Sequence, residues 1–190
     1  MTTILETERL RLRPVELSDA AFIQHSFGQP EVLQFLPPEV PNPYPADGAV
    51  FYLSQIMLPA MQAGTAMEFL ILRKHDDAPM GAVMLENKGN GRDEWRRGFW
   101  LAKHYHGQRY MEEASLAALR WFFTNTPATA VVTGNALSNH ASARIKEKQG
   151  FLPLGTRVQI PPFHNGETTA MDWKLTRERF LDLHGVVTLA

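Results

Sequence analysis

Residues 98–114, "GFWLAKHYHGQRYMEEA", change their periodicity midway, and the change decides the architecture. Up to Ala102 the run is short, apolar and strand-like. From Met111 onward the apolar residues Met111, Ala114, Ala118 and Phe122 fall on one helical face, while Glu112 and Arg120 share another. A turn containing Gly107 joins the two, and the helix is expected over residues 108–124. The first N–H groups of a helix lack intrahelical partners, and the helix dipole puts partial positive charge there. Such a start suits a phosphate. Two side chains complicate the turn. If Arg109 adopts the backbone angles a glycine would use, its guanidinium adds charge beside the anion. If close backbone approach is required, Arg109 and Met111 crowd the site instead. A third reading is an ordinary helix start without a ligand.

Upstream, "AMEFLILRK", "MGAVMLEN" and "RRGFWLAK" are strand-like runs separated by the turns "HDDAP" and "KGNGRDE". They read as an antiparallel meander with strands near 68–72, 81–85 and 96–101. Further back, "RLRLRPV" alternates Leu10 and Leu12 with Arg9, Arg11 and Arg13, a half-buried strand. "ELSDAAFIQHSFG" reads as a helix with Ser18 as N-cap, ending near Gly28. "ADGAVFYLSQIMLPAMQAG" reads as a helix through Ile56, kinked or ended by Pro59. Between these helices, Pro37, Pro38, Pro41, Pro43 and Pro45 exclude regular structure from an aromatic loop. Downstream, "TAVVTGNAL" is a strand. "SNHASARIKEKQG" is a short helix capped by Ser138 or Asn139 and stopped by Gly150. "FLPLGTRV" and "TAMDWKLT" are final strands. The order β-α-α-β-β-β-α-β-α-β-β predicts a single α+β domain over residues 1–190, with helices flanking a mixed, mostly antiparallel central sheet.

The 190 residues suit one domain with a sizeable core, and the formal net charge of −1 argues against a nucleic-acid footprint. The arginines of "RRGFW" and "RLRLR" read as solvent faces of strands. No cysteine is present, which excludes disulfides, thiolate metal sites and a cysteine nucleophile. His104 and His106 lack carboxylate or thiolate neighbours in sequence, so no metal is expected. The N-terminal segment has no apolar signal region, and no apolar run reaches membrane-spanning length. The expectation is a cytoplasmic protein without membrane or nucleic-acid partners; a homodimer is compatible with it.

In this order of elements the chain resembles the GCN5-related N-acetyltransferases, particularly the ribosomal-protein alanine acetyltransferase group. The resemblance runs from about Thr7 to Phe180. It is carried by "TERLRLRPVELSDA", "GFWLAKHYHGQRYMEEA", "NHASARIKEKQGF" and "WKLTRERF". It implies a GNAT fold and acetyl-CoA as co-substrate. In the family, the strand before the turn is splayed from its neighbour, so backbone near Trp100, Leu101 and Ala102 is expected along the pantetheine arm. The pyrophosphate turn has the form Arg/Gln-x-x-Gly-x-Gly/Ala, which here reads His106, Gly107, Gln108, Arg109, Tyr110 and Met111. Gly107 through Met111 are therefore the expected phosphate contacts. Asn139 matches a cofactor-contacting Asn, and Ser142, one helical turn on, matches a residue that protonates the leaving thiolate. The reading of the residues themselves leaves Asn139 as a helix cap and Ser142 as a small helical residue. Lys148, Gly150 and Phe151 are read structurally.

Acetyl transfer requires an unprotonated amine, hence a base or a water relay. Many members of the group carry Glu where this chain has Arg96, which leaves the base open among Glu86, Glu94 and His164, with Glu86 preferred. Asp172 lies near a family Asp without clearly coinciding with it. Phe35, Tyr44, Phe163 and His164 are the expected acceptor-side residues. Two functions remain at this point: an N-acetyltransferase in which the amine attacks the thioester directly, or a GNAT-fold binding or regulatory module with impaired acetyl-CoA binding.

Overall fold

The structure is a computed structural model that describes residues 3–35, 39–41, 43–87, 93–160 and 167–185. Its elements, in chain order, are β1 (Leu5–Glu6), β2 (Leu10–Pro14), α1 (Ala20–Phe27), α2 (Pro30–Leu33), α3 (Gly48–Phe51), α4 (Leu58–Gln62), β3 (Ala66–Arg73), β4 (Ala78–Glu86), β5 (Glu94–Leu101), α5 (Tyr110–Asn125), β6 (Ala130–Ala136), α6 (His140–Lys148), β7 (Leu152–Gln159), β8 (Thr168–Thr176) and α7 (Arg177–His184). The strands form one sheet in the order β1-β2-β3-β4-β5-β6-β8-β7. The meander β3–β4–β5 is antiparallel, as its two turns predict. The connection through α5 returns the chain in the same direction, so β5 and β6 pair in parallel.

Apolar side chains cover both faces of the sheet. On one face α5 buries Met111, Ala114, Ala118, Leu119 and Phe122 against Leu12, Phe69, Val83 and Val131. The opposite face packs Leu70, Leu72, Ala82 and Trp100 under Ile23, Ala49, Leu53 and Met57. Strand alternation assigns the faces: odd positions of β3 face α5, even positions face α1 and α3.

Two local expectations are corrected. Ser18 does not cap the first helix. A tight turn, Leu17–Asp19, precedes α1; Glu16 is its N-cap, and the Asp19 carboxylate accepts from Glu16 N–H at 2.8 Å, so a capping box with an acidic pair replaces the hydroxyl cap. At Pro59, where the sequence predicts a kink or an end, the helix does not end. Residues 52–57 widen into a π-helical segment, with Leu58 N–H donating to Leu53 O, and the helix continues to Gln62. Proline collides with the carbonyl four residues back in a regular helix, and the wider turn accommodates its ring. The chain also adds α7, whose N-cap is Thr176 at the end of β8, its hydroxyl accepting from Arg179 N–H at 3.2 Å. No helix among the described residues is long and apolar enough to cross a membrane.

Candidate active site

The parallel ladder between β5 and β6 is short. It runs only through Glu94–Ala130, Trp95–Val131 and Arg96–Val132. Thr133 Oγ1 then donates to Arg97 O at 3.0 Å, and the strands part. Among the described residues, β6 beyond this point pairs with β8 alone, through Ala136. A wedge therefore opens in the sheet, with its apex at Arg97 and Thr133 and its mouth past Leu101. Ala102 N–H donates to Met80 O at 2.8 Å on the other side. Ladder alternation then turns the backbone groups of Trp100 and Ala102 toward β4, and those of Phe99 and Leu101 into the wedge. The expected set of Trp100, Leu101 and Ala102 is corrected accordingly: Phe99 joins Leu101 on the open edge, while Trp100 and Ala102 are committed to β4. The Leu101 carbonyl already pairs with His106 Nε2 at 2.8 Å. Gly81 makes the strand end possible. A Cβ there would lie 2.2 Å from Trp100 O and 2.8 Å from Leu101 Cα, so no other residue fits without moving β5.

The turn at the mouth answers the backbone question. Arg109 is the N-cap of α5 with φ 62° and ψ 13°, the left-handed conformation, and Gly107 also has positive φ, 77°. Arg109 thus takes the geometry a glycine would take, at a cost of about 1–2 kcal/mol. Its side chain is exposed and forms no ion pair among the described residues. No side chain caps α5, and its first capped amide is Glu113 N–H, which donates to Arg109 O at 3.2 Å. The N–H groups of Tyr110, Met111 and Glu112 are left at the helix start. Met111 does not crowd this mouth, because its side chain is buried in the core under α5. A clamp from the β1–β2 connection holds the turn in place. Arg9 Nε and Thr7 Oγ1 donate to the Glu113 carboxylate at 2.7 and 2.6 Å, Arg9 Nη1 donates to Gln108 O at 3.1 Å, and the Arg9 guanidinium lies 4.4 Å from the Tyr110 ring centre.

Across the wedge, Asn139 is the N-cap of α6, with Oδ1 accepting from Ser142 N–H at 3.1 Å. The oxygen of Asn139 is thereby committed to the helix, and its amide nitrogen is the group left for a ligand. The Ser142 hydroxyl accepts from Lys146 Nζ at 2.6 Å, so its own proton is directed elsewhere. Lys146 also donates to Asn135 Oδ1 at 2.8 Å, and Trp173 Nε1 donates to the same oxygen at 2.9 Å. Burial, then the charge of Arg97, pushes the Lys146 ammonium down to about 6. Arg97 itself corrects an expectation. "RRGFW" reads as a solvent face, yet Arg97 is 1 % exposed. Adjacent strand residues point to opposite faces, so Arg96 and Arg97 cannot both reach solvent, and Arg97 is the one turned toward α5 and α6.

The opposite face carries the acids. Glu86 sits on β4 with an Arg96 nitrogen 4.0 Å away. Glu94 is committed to Lys174 at 2.5 Å, and Asp172 to Arg157 at 3.0 Å. Tyr44 flanks this face from the proline-rich loop. Tyr44 packs edge-on against Phe27, which packs edge-on against Trp100, and Tyr44 borders an open cleft of about 570 Å³ with Gln24, Gly28 and Leu33. Phe35 is 39 % exposed and does not line that cleft. Phe163 and His164 lie outside the described residues. The sequence reading missed Glu68. It is 4 % exposed on β3, accepts from the Tyr52 hydroxyl at 2.9 Å, and is pushed up by burial to about 7. Its charge is felt by Tyr44 and Tyr52, and Glu86 raises it further, so these four groups form one cluster. The strand register places Glu68 beside Met84 and Met84 beside Gly98 on the wedge strand.

A family model described as an acetyltransferase (GNAT) domain matches residues 9–152. The chain belongs to the GNAT acetyltransferase family. Comparison with curated protein sequences gives no match. Among solved structures, the GNAT chain is similar to the ribosomal-protein-S5-alanine acetyltransferase of Vibrio fischeri, with TM-score 0.80, 18 % identity, and 94 % of this chain and 98 % of that one covered. It is likewise similar to the ribosomal L7/L12 alpha-N-protein acetyltransferase RimL in complex with coenzyme A (TM-score 0.80, 16 % identity, coverage 92 % and 98 %). A third is the spermidine N-acetyltransferase of Vibrio cholerae in complex with CoA and spermine (TM-score 0.78, 16 % identity, coverage 92 % and 99 %). At these identities the likeness establishes the shared fold.

The GNAT wedge in this chain suits an acyl-CoA on its own chemistry. The edge groups of Phe99 and Leu101 N–H face an unpaired strip that an amide-bearing arm can fill. The helix-start N–H groups and Arg109 supply positive potential at the mouth for a pyrophosphate.

Proposed function

We propose that this chain moves an acetyl group from acetyl-CoA to a primary amine, a protein N-terminus or a small-molecule amine, by direct attack within a ternary complex. The observation that carries the reading is the wedge. Its mouth ends at an uncapped helix start with a free arginine, and its apex lies against a face bearing a carboxyl poised near neutrality. Acetyl-CoA supplies an activated acyl thioester; the chain's residues do the rest. Phe99 and Leu101 hold the arm, and Gly107, Gln108, Arg109, Tyr110 and Met111 form the phosphate turn through their backbone. The Asn139 amide contributes from α6.

Glu68 accepts the proton that the amine loses, through water, because two strand spacings of about 5 Å each separate it from the wedge strand. Glu86 keeps it company and favours its protonated form at acid pH. Ser142 donates its hydroxyl proton toward the departing sulfur and recovers one from water, while Lys146 Nζ holds the serine oxygen by donating to it. Tyr44 and Phe35 meet the acceptor, a reading supported for Tyr44 by the open cleft it borders. The test has two stages. Calorimetry with acetyl-CoA should show a single site on the protein. Thiol release from acetyl-CoA should then respond to a panel of peptides with free N-termini and of polyamines. Absence of binding at high micromolar acetyl-CoA overturns the reading.

A further inference from the structure

At the apex of the wedge a guanidinium and a lysine amine are buried without an anion. Arg97 and Lys146 are each 1 % exposed. Neither forms an ion pair among the described residues, and no acid contributes to the environment of either. Arg97 Nη1 donates to Gln149 Oε1 at 2.6 Å, and Gln149 is fixed in turn by donating to Ser115 Oγ at 2.7 Å. Arg97 Nε and Nη2 are fully enclosed and have no partner among the described residues. These two nitrogens lie along one edge of the guanidinium, and their N–H bonds run parallel. That edge is the fork which a carboxylate meets with both oxygens. The guanidinium is held flat by Phe151, 4.4 Å from its ring centre, and the Phe99 ring lies beside both Arg97 and Lys146, at 5.1 and 5.6 Å.

An unpartnered buried charge is costly, and two are costlier. Burial depresses Arg97 to about 9, and burial together with Arg97 depresses Lys146 to about 6. An anion between them would lift both. The direction from which one would arrive follows from the wedge. The phosphate end of a CoA thioester belongs at the mouth, so its acyl end points inward, toward Arg97 and Thr133.

We infer that the acyl pocket accepts a donor whose acyl chain ends in a carboxylate, a short dicarboxylyl-CoA, with that carboxylate on the Nε–Nη2 edge of Arg97 and beside Lys146. The inference rests on the acyl-CoA reading above and specifies its donor. The chemistry is unchanged. The amine nitrogen bonds to the thioester carbon, the carbon–sulfur bond breaks, and the sulfur keeps the electron pair and takes a proton. The amine gives up a proton to the base, and the distal carboxylate takes no part. The product is an amide that carries a negative charge where the amine carried a positive one.

The experiment compares succinyl-CoA with butyryl-CoA, which has the same number of acyl carbons and a neutral end, by calorimetry and thermal shift, with no acceptor present. The wild-type protein should bind succinyl-CoA about 10- to 100-fold more tightly, as a charge-assisted bidentate pair implies. Arg97→Leu should bind butyryl-CoA as the wild type does and lose the succinyl advantage. That variant removes an unpaired buried charge, so it should fold. Should it not fold, Arg97→Lys keeps the charge, loses the fork, and should lose most of the advantage. Equal binding of the two thioesters by the wild type overturns the inference, as does an advantage that survives in both variants. If no CoA thioester binds, acetyl-CoA included, the acyltransferase reading fails and takes this inference with it.

Discussion

Replacing Glu68 with Gln tests the proposed base through stability and rate together. Burial raises this carboxyl from 4.5 to about 7. The folded state therefore binds the proton more tightly than the unfolded chain does. Its contribution to stability is fully present below pH 4.5 and is lost as the pH rises to about 7. The shift of 2.5 pH units corresponds to about 3 kcal/mol of burial cost for the ionised form at pH 8. Glutamine has the same shape and carries no charge, and its carbonyl can still accept from the Tyr52 hydroxyl. Urea denaturation should thus find the stability of Glu68→Gln relative to wild type rising by about 3 kcal/mol between pH 4.5 and pH 8. Turnover should move the opposite way. Wild-type kcat/KM should climb through pH 7 as Glu68 ionises, and the variant should lose about 10²- to 10⁴-fold and that inflection with it. Parallel stability profiles would refute the buried titration. An unchanged pH–rate profile would remove Glu68 from the reaction whatever the stability data show.

Arg109→Gly should raise the melting temperature by about 2–4 °C through relief of the left-handed backbone, yet weaken acetyl-CoA about 10-fold and reduce the salt dependence of binding; tighter binding instead would make Arg109 an obstruction. Ser142→Ala should reduce kcat about 10²-fold while leaving acetyl-CoA affinity within a factor of a few, measured by turnover and calorimetry, and full turnover would make Ser142 a spectator. Gly81→Ala forces its Cβ against Trp100 O, so acetyl-CoA binding should fall with the displaced end of β5. A variant that binds normally would show that the strand end tolerates the shift.

The positions of the helices and strands were legible because period is a local property. The three meander strands, α5 with its buried Met111, Ala114, Ala118 and Phe122, and α6 ending before Gly150 all follow from spacing and turn residues. Resemblance in four short segments named the family, and the family model over residues 9–152 shows it. Glu68 was overlooked although its signal was present: a lone acid inside "AMEFLILRK" cannot face solvent when both sheet faces are covered. Its partner Tyr52 stands 16 residues away, in the widened helical segment 52–57.

What the chain alone determined depends on neighbours a few residues apart: the periods, the turns between strands, and the helix start at the turn. Tertiary structure decided which backbone edge is free, which of two adjacent arginines is buried, and which carboxyl titrates near neutrality. Each of these depends on strands and helices meeting across long separations. Thr133 meets Arg97 at the wedge apex, Lys146 meets Asn135 beneath it, and Tyr52 meets Glu68 on the far face. Burial and the dielectric that follows from it are properties of the packed whole, and no window of sequence contains them.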